Sequence, residues 1–327
     1  MRAIRLIRHG APLIAQDIAD PRPQSGEVLI DIRAAGICHS DAHYRAETGR
    51  VPLPRTLGHE IAGTNAVSGE PVAVHYLLPN GDMIGKEVDG GFAEKIVVPA
   101  ANLIPIPDDI SFEEAAIMMC STATAYHALR LANFQPGESV AILGFGGLGI
   151  SALQLARRLG AGEIHVVDRV PEKLAIAKEL GAIVGHGGAV PYPGVRHGAA
   201  VPYNTDGLHA VPHIDVALDF AGKAALCLDA LRALKPGGRL MLVAINLREF
   251  RFDAYADVLS KERRIVGVSD HTREELLELM RMRLDLSRAI TRRVPLEADA
   301  INAVLDDLDR GTAHLRTVIV QARRSEA

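Results

Sequence analysis

The sequence predicts an α/β chain in two parts, one β-rich and one a doubly wound parallel sheet, and three observations carry that prediction. Residues 27–35, EVLIDIRAA, alternate apolar and polar side chains, and strand-like pieces recur at 71–75 and 92–98 between Gly/Pro turns, which is the period-2 pattern of half-buried strands. After Ser111 the period lengthens to that of a helix, in FEEAAIMMCSTATAYHALRLA. Beyond it SVAILG, LGISALQLARRLG and EIHVVD follow one another as strand, helix and strand, the alternation of a parallel sheet covered on both faces.

The alternation continues with a helix over 171–180, a strand over 214–220, a helix over 223–234, a Pro-Gly-Gly turn and a strand over 239–244. Thr272 followed three residues later by Glu275 forms a capping box that opens a helix, and a second helix covers 297–309. RTVIVQ is a last strand, returning to the first part. Residues 185–212 are rich in Gly, Pro and His with little periodicity, a surface loop or irregular connection. At 327 residues the chain exceeds the roughly 250–300 at which a single core stops growing. Two domains are expected, one of residues 1–120 with 265–327 and one of residues 121–264.

The 36 basic and 40 acidic residues leave a net charge of -4 with no long run of either sign, so no nucleic-acid or anionic-membrane footprint is present. The expected partner is a small molecule. The first ten residues carry three arginines and no apolar core of a secretory signal, and the expected location is cytoplasmic. Residues 140–156 are apolar, but they hold four glycines, Ser151 and Gln154 and fall short of the ~20 residues a span needs. Cys38, Cys120 and Cys227 are too few and too scattered for a disulfide framework, which points to reduced thiols or a metal site.

VAILGFGGLGISALQL sets Gly144, Gly146 and Gly149 as G-x-G-x-x-G between a strand and a helix, the Rossmann dinucleotide fingerprint in its proper context. Gly144 serves the tight turn, Gly146 the approach of backbone to a pyrophosphate, and Gly149 close packing of helix on strand, with Gly147 and Leu148 at the helix start facing the anion. Asp168 follows Gly149 by nineteen positions at the end of the next strand, where an acid binds both ribose hydroxyls and repels a 2′-phosphate. NAD is therefore favoured over NADP. Asp168 is also placed to cap the helix that starts at Pro171, and Arg169 beside it could accommodate a phosphate. Arg169 and Lys173 are counted with the cofactor-binding residues.

In the β-rich half, GICHSDAH at 36–43 and GHE at 58–60 bring a thiol, an imidazole and a carboxylate within reach of one cation, and Cys120 could close the set. Two cysteines and a histidine with one open position are the ligand mix of a catalytic zinc. Taken singly, each is as readily a buried small hydrophobe or a satisfied polar group.

Through GICHSD, GHE, DGGFAEKIVVP, the segment from Cys120 to Thr124, and GFGGLG, in that order, nearly the whole chain resembles the zinc-dependent medium-chain dehydrogenase/reductase family, the alcohol dehydrogenases. The resemblance implies a GroES-like catalytic domain beside the Rossmann domain. It implies Cys38, His59 and Cys120 as zinc ligands, Glu60 as a carboxylate able to approach the metal, and Asp41 as the hydrogen-bond partner that orients His59. Ser40 and His43 match the family's proton relay, His39 its pyrophosphate contact, Thr124 the hydroxyl bordering the nicotinamide, and Arg316 its late arginine on the cofactor phosphates. His39 and His43 can equally be ordinary surface histidines.

One departure stands out. Relatives often carry a four-cysteine lobe for a second, structural zinc, where this chain has only YLLPNGDMIGKEVD. One catalytic zinc and no structural zinc are expected. A homo-oligomer, dimer or tetramer, is expected as well, although loss of the lobe could alter subunit contacts. The activity implied is zinc-assisted hydride transfer between an alcohol or carbonyl substrate and NAD(H). Two other readings stand beside it: a zinc-free enone or quinone reductase of the same fold, and a non-catalytic dinucleotide-binding protein.

Overall fold

In a computed structural model, residues 1–46, 51–186, 213–246, 248–311 and 315–321 are described. The chain divides into two compact units, Met1–Ala123 with Thr272–Ala327, and Thr124–His271.

The first unit opens with β1 (Arg2–Leu6), β2 (Ile14–Asp17), β3 (Glu27–Ile37), α1 (His39–Arg45), β4 (Arg55–Thr56), β5 (Glu60–Asn65), β6 (Pro71–Val74), β7 (Lys95–Pro99), β8 (Leu103–Pro105) and α2 (Phe112–Ile117). The second holds α3 (Ala123–Leu131) from its second residue onward, then β9 (Val140–Leu143), α4 (Gly147–Arg158), β10 (Ile164–Asp168), α5 (Pro171–Glu179), β11 (Ile183–His186), β12 (Ile214–Asp219), α6 (Ala224–Ala233), β13 (Leu234–Leu242) and β14 (Arg264–Gly267). The chain then returns to the first unit with α7 (Arg273–Met282), β15 (Ile290–Val294), α8 (Ala298–Arg310) and β16 (Arg316–Val320).

In the first unit β3 is the central strand, paired antiparallel with β5, β7 and β16. The alternation read in EVLIDIRAA is thus that of a strand whose one face packs on the core, and Ile30, Ile32 and Ala35 join Leu6, Ile61, Val74, Phe92, Val304, Leu305 and Ile319 in a single buried cluster. The predicted return of the chain is realised by β16, which pairs with β3 from Thr317 opposite Ile37 to Val320 opposite Ala34. Ser111 with Glu114, and Thr272 with Glu275, form reciprocal capping boxes at α2 and α7.

The second unit is one six-stranded sheet in the order β11-β10-β9-β12-β13-β14, parallel at every pairing. Its strand order reverses between β9 and β12, and ligands of open parallel sheets bind at such a reversal, beyond the carboxyl ends of the strands.

The structure differs from these expectations at four points. Short apolar runs at 183–186 and 264–267 are strands, β11 and β14, that the periodicity did not reveal because each has four residues and contains a glycine. Pairing with β13 places β14 in the second unit, so residues 265–271 do not belong with the first. The Pro-Gly-Gly turn lies inside β13, as an offset in the ladder between the pairs Ile214–Leu234 and Val216–Arg239. Residues 185 and 186, expected in an irregular stretch, end β11, and residues 187–212 of that stretch lie outside the described residues. Among the described residues no helix is long and apolar enough to cross a membrane; the apolar run at 140–156 is β9, the glycine turn and part of α4.

The amino ends of β9 and β12 are tied by Asp215, whose Oδ2 accepts from Ser139 N and Ser139 Oγ at 2.8 Å each and from Lys235 Nζ at 2.7 Å. Burial works against its charge, but Lys235 and Ser139 outweigh burial and hold the carboxyl below its usual value. Its contribution is therefore present above the unfolded pKa, near 4, and is lost as pH falls through the lower folded value. Replacing Asp215 by Asn is expected to cost about 1 kcal/mol, or ~2–4 °C of melting temperature at pH 7. The difference from wild type should shrink as thermal scans move below about pH 4.

Candidate metal and dinucleotide sites

The metal-ligand cluster of the first unit is assembled from three places in the chain. Cys38 caps α1 directly after β3, His59 immediately precedes β5 and Glu60 opens it, and Cys120 lies in a π-helical turn, Met118–Thr122, that follows α2. Such turns recur at functional sites. One donor atom from each of Cys38, His59, Glu60 and Cys120 lies within 4.8 Å of the others.

The backbone around the donors is held by Asp41. Its Oδ2 accepts from Cys38 N at 2.8 Å and its Oδ1 from Gly58 N at 3.2 Å, so one buried carboxylate ties the segments on which both ligands sit. Oδ1 also lies 3.5 Å from His59 Nδ1, near enough for ion pairing but too long for a hydrogen bond. Sequence reasoning expected that bond; in the structure Asp41 bonds the backbone instead. Nδ1 facing Asp41 leaves Nε2 for a cation, and Ser40 Oγ lies 3.4 Å from that Nε2.

Close packing of backbone segments brings His59 into place. Gly58 adopts φ +92°, and residues 83–92 fold back so tightly that a Cβ on Gly85 or Gly90 would come within 2.7 or 2.1 Å of the Gly58 carbonyl oxygen. Gly90 N bonds Thr56 O and Gly91 N bonds Gly58 O.

The electrostatics fit a cation. The paired Cys120 lowers the Cys38 thiol well below its ordinary value, burial opposing and His59 assisting, while Cys120 is raised by Cys38 and by burial. The two thiols share what one proton can neutralise. Burial lifts Glu60 to about 7 against the pull of Arg316. Burial opposes a charge on His59, yet Asp41 and Cys38 raise it above its ordinary value. Glu60 Oε1 is buried without a hydrogen-bond partner. Two soft thiols, an imidazole and a carboxylate are the donor set of zinc.

Sequence reasoning set Arg316 on the cofactor phosphates. The structure buries it on β16 with its Nη2 on Glu60 Oε2, and it is the charge partner of that carboxylate. Nothing in the local sequence signals this, since the partners lie 256 positions apart. Gly36 makes room for Glu60, because a Cβ there would overlap the carboxylate. Tyr76 was also missed; it packs edge-on against the His59 ring with centroids 5.5 Å apart. His39 and His43 share one face of α1 and stack at 4.6 Å, His39 exposed and His43 half-buried.

In the second unit the glycine turn lies between β9 and α4. Gly144 has φ +95°, and a Cβ on Gly149 would meet the Gly144 carbonyl oxygen at 2.4 Å, whereas a Cβ on Gly146 would meet nothing within 4 Å. Gly146 is therefore not needed for packing. It caps α4 without a side-chain bond, and Gly147 and Leu148 begin the helix with no acidic residue in the first turn, leaving amides free to face an anion. Asp168 accepts from Phe145 N at 2.7 Å and Val170 N at 2.9 Å. It therefore clamps the glycine turn and the approach to α5 together. Arg169 is exposed, Lys173 half-buried on α5, and Thr124 half-buried as the second residue of α3.

Two family models match the chain, the alcohol dehydrogenase GroES-like domain over residues 24–108 and the zinc-binding dehydrogenase over 147–284. An alcohol dehydrogenase of Geobacillus stearothermophilus is 32% identical, covering 98% of this chain and 99% of the relative. An NAD-dependent alcohol dehydrogenase of Saccharolobus solfataricus is 28% identical, covering 98% and 100%. Among solved structures, the alcohol dehydrogenase of Aeropyrum pernix aligns with a TM-score of 0.78 at 28% identity, covering 98% of this chain and 100% of that one.

Because Gly146 is free of packing duty, Gly146→Val is expected to leave thermal stability within ~1 kcal/mol of wild type while weakening NAD binding by at least about tenfold. Calorimetric melting and NAD titration of the same preparation check the two halves of that expectation.

Proposed function

This chain belongs to the zinc-type medium-chain dehydrogenase/reductase family, oxidoreductases of the alcohol dehydrogenase type, and on that premise we propose that it works with one zinc ion per chain and with NAD rather than NADP. The observation that carries the proposal is the convergence of Cys38, His59, Glu60 and Cys120 within 4.8 Å.

Cys38, Cys120 and Nε2 of His59 hold the ion, and Glu60, balanced by Arg316, stands beside it as the carboxylate within reach. When bound, zinc supplies a Lewis acid for the substrate oxygen and NAD supplies the hydride acceptor. The proton leaves through the chain's own groups. Ser40 Oγ, beside His59, takes it from the substrate hydroxyl, and His43, three residues on and hence on the same face of α1, receives it. The backbone at Gly146, Gly147 and Leu148 cradles the pyrophosphate. Each carboxylate oxygen of Asp168 keeps a further lone pair for ribose hydroxyls, and its charge disfavours a 2′-phosphate.

A zinc-free reductase would leave two adjacent thiols, one buried and one half-buried, without a role. The substrate is a small alcohol or its carbonyl counterpart, and the reaction takes place in the cytoplasm. β14, paired only with β13 among the described residues, leaves an edge that a second copy can extend in a homo-oligomer.

Purified protein is expected to carry one zinc per chain and to form NADH with members of an alcohol panel. Cys38→Ser and His59→Ala should each lose bound zinc together with at least ~100-fold of kcat/KM; full turnover by a metal-depleted preparation would contradict the proposal. In Asp168→Asn the amide oxygen can still accept from Phe145 N, but the charge is gone. NAD should bind about tenfold more weakly, ~1.4 kcal/mol, and the preference over NADP should narrow in paired titrations.

A further inference from the structure

The groups assigned to proton transfer sit on α1, which has seven residues, about two turns, and a helix so short has no stability of its own in water. Its first turn is closed by the bonds of Asp41. At its other end the Arg45 side chain, 11% exposed, reaches α8, with Nη2 2.7 Å from Asp306 Oδ1 and 2.8 Å from Asp309 Oδ2. The Arg45 carbonyl also accepts from Gly10 N at 2.8 Å. α8 is a firm base, for Ile301, Val304 and Leu305 lie in the core and Asn302 exchanges two 2.9 Å bonds with the backbone of Leu13.

We propose that Arg45 is a positioning residue for the reaction: by bridging Asp306 and Asp309 it fixes the last turn of α1, and with it the placement of Ser40 and His43. Ordinary surface ion pairs add little to global stability. One nitrogen shared between two carboxylates, on a side chain largely withdrawn from solvent, instead sets a direction. His43 lies two residues before Arg45 and Ser40 five before it, whereas Cys38 and Asp41 are secured by their own bonds. Loss of Arg45 therefore loosens the proton-handling groups and spares the ligand set. The inference rests on the dehydrogenase reading given above.

The test compares wild type with Arg45→Met, Arg45→Lys and the double variant Asp306→Asn with Asp309→Asn, reading kcat, KM, bound zinc and amide hydrogen exchange over residues 38–46. In Arg45→Met and in the double carboxylate variant, kcat is expected to fall about tenfold, KM to stay within about twofold, zinc to be retained and exchange to quicken. Combining them should add nothing further. Arg45→Lys, whose single ammonium can meet both carboxylates, should recover most of kcat. Arg310→Met, which removes an exposed partner of Asp307, serves as control and should leave kcat unchanged. A kcat within about twofold of wild type in Arg45→Met, or zinc lost in step with kcat in both clamp variants, overturns the proposal. A wild-type chain without zinc or NAD-dependent turnover contradicts the dehydrogenase reading itself, so the two failures are distinguishable.

Discussion

Two thiols, an imidazole and a carboxylate are crowded into the first unit within 4.8 Å of one another, and that crowding is the constraint on which the rest of the unit depends. Withdrawn from water, like charges at such distances cannot all ionise without a compensating cation. The opposed shifts of Cys38 and Cys120 express the conflict, and Arg316, paired with Glu60, answers it in part, its charge also drawing both thiols down. Much of the surrounding structure keeps the donors together against their repulsion. Asp41 bonds the backbone beside each ligand segment, Gly36 leaves room for a carboxylate, and the turn over residues 83–92 closes against Gly58 where a side chain would intrude.

The second unit meets a different demand by removing side chains instead of adding them. Gly149 has no Cβ because α4 must pack against Gly144, while Gly146 has none although the protein itself leaves the space open. The distinction separates a glycine required by the fold from one that only the proposed cofactor site requires. Asp168 joins the two needs, since its carboxylate holds the turn in shape from the same strand end that the proposed NAD site sets against a ribose. A charged side chain can thus be structural and specific at once, and its substitution has to be read for both effects.

Much of this was legible in the sequence because it rests on local rules. The glycine fingerprint, the two capping boxes and the alternation of β3 each compress a geometric requirement into a few adjacent residues. Cys120 was legible from its chemistry only as a thiol that could close the set, and resemblance alone made it a zinc ligand, as no spacing argument reaches from it to Cys38. The pairing of Glu60 with Arg316 was not legible at all, because it arises from β16 joining β3 across almost the whole chain. The orientation of Asp41 was misjudged for a related reason: two backbone amides compete for its oxygens and win them from His59. β11 and β14 escaped because four residues with one glycine carry too little periodic signal, and only pairing with a neighbouring strand defines them.

The zinc proposed at Cys38, His59 and Cys120 is tested most directly by its neighbouring atoms. X-ray absorption at the zinc edge of the purified protein should find two sulfur neighbours at about 2.3 Å and lighter neighbours at about 2.0–2.2 Å. A shell of nitrogen and oxygen alone, or of four sulfurs, would contradict the assignment of Cys38, Cys120 and His59 to a single ion.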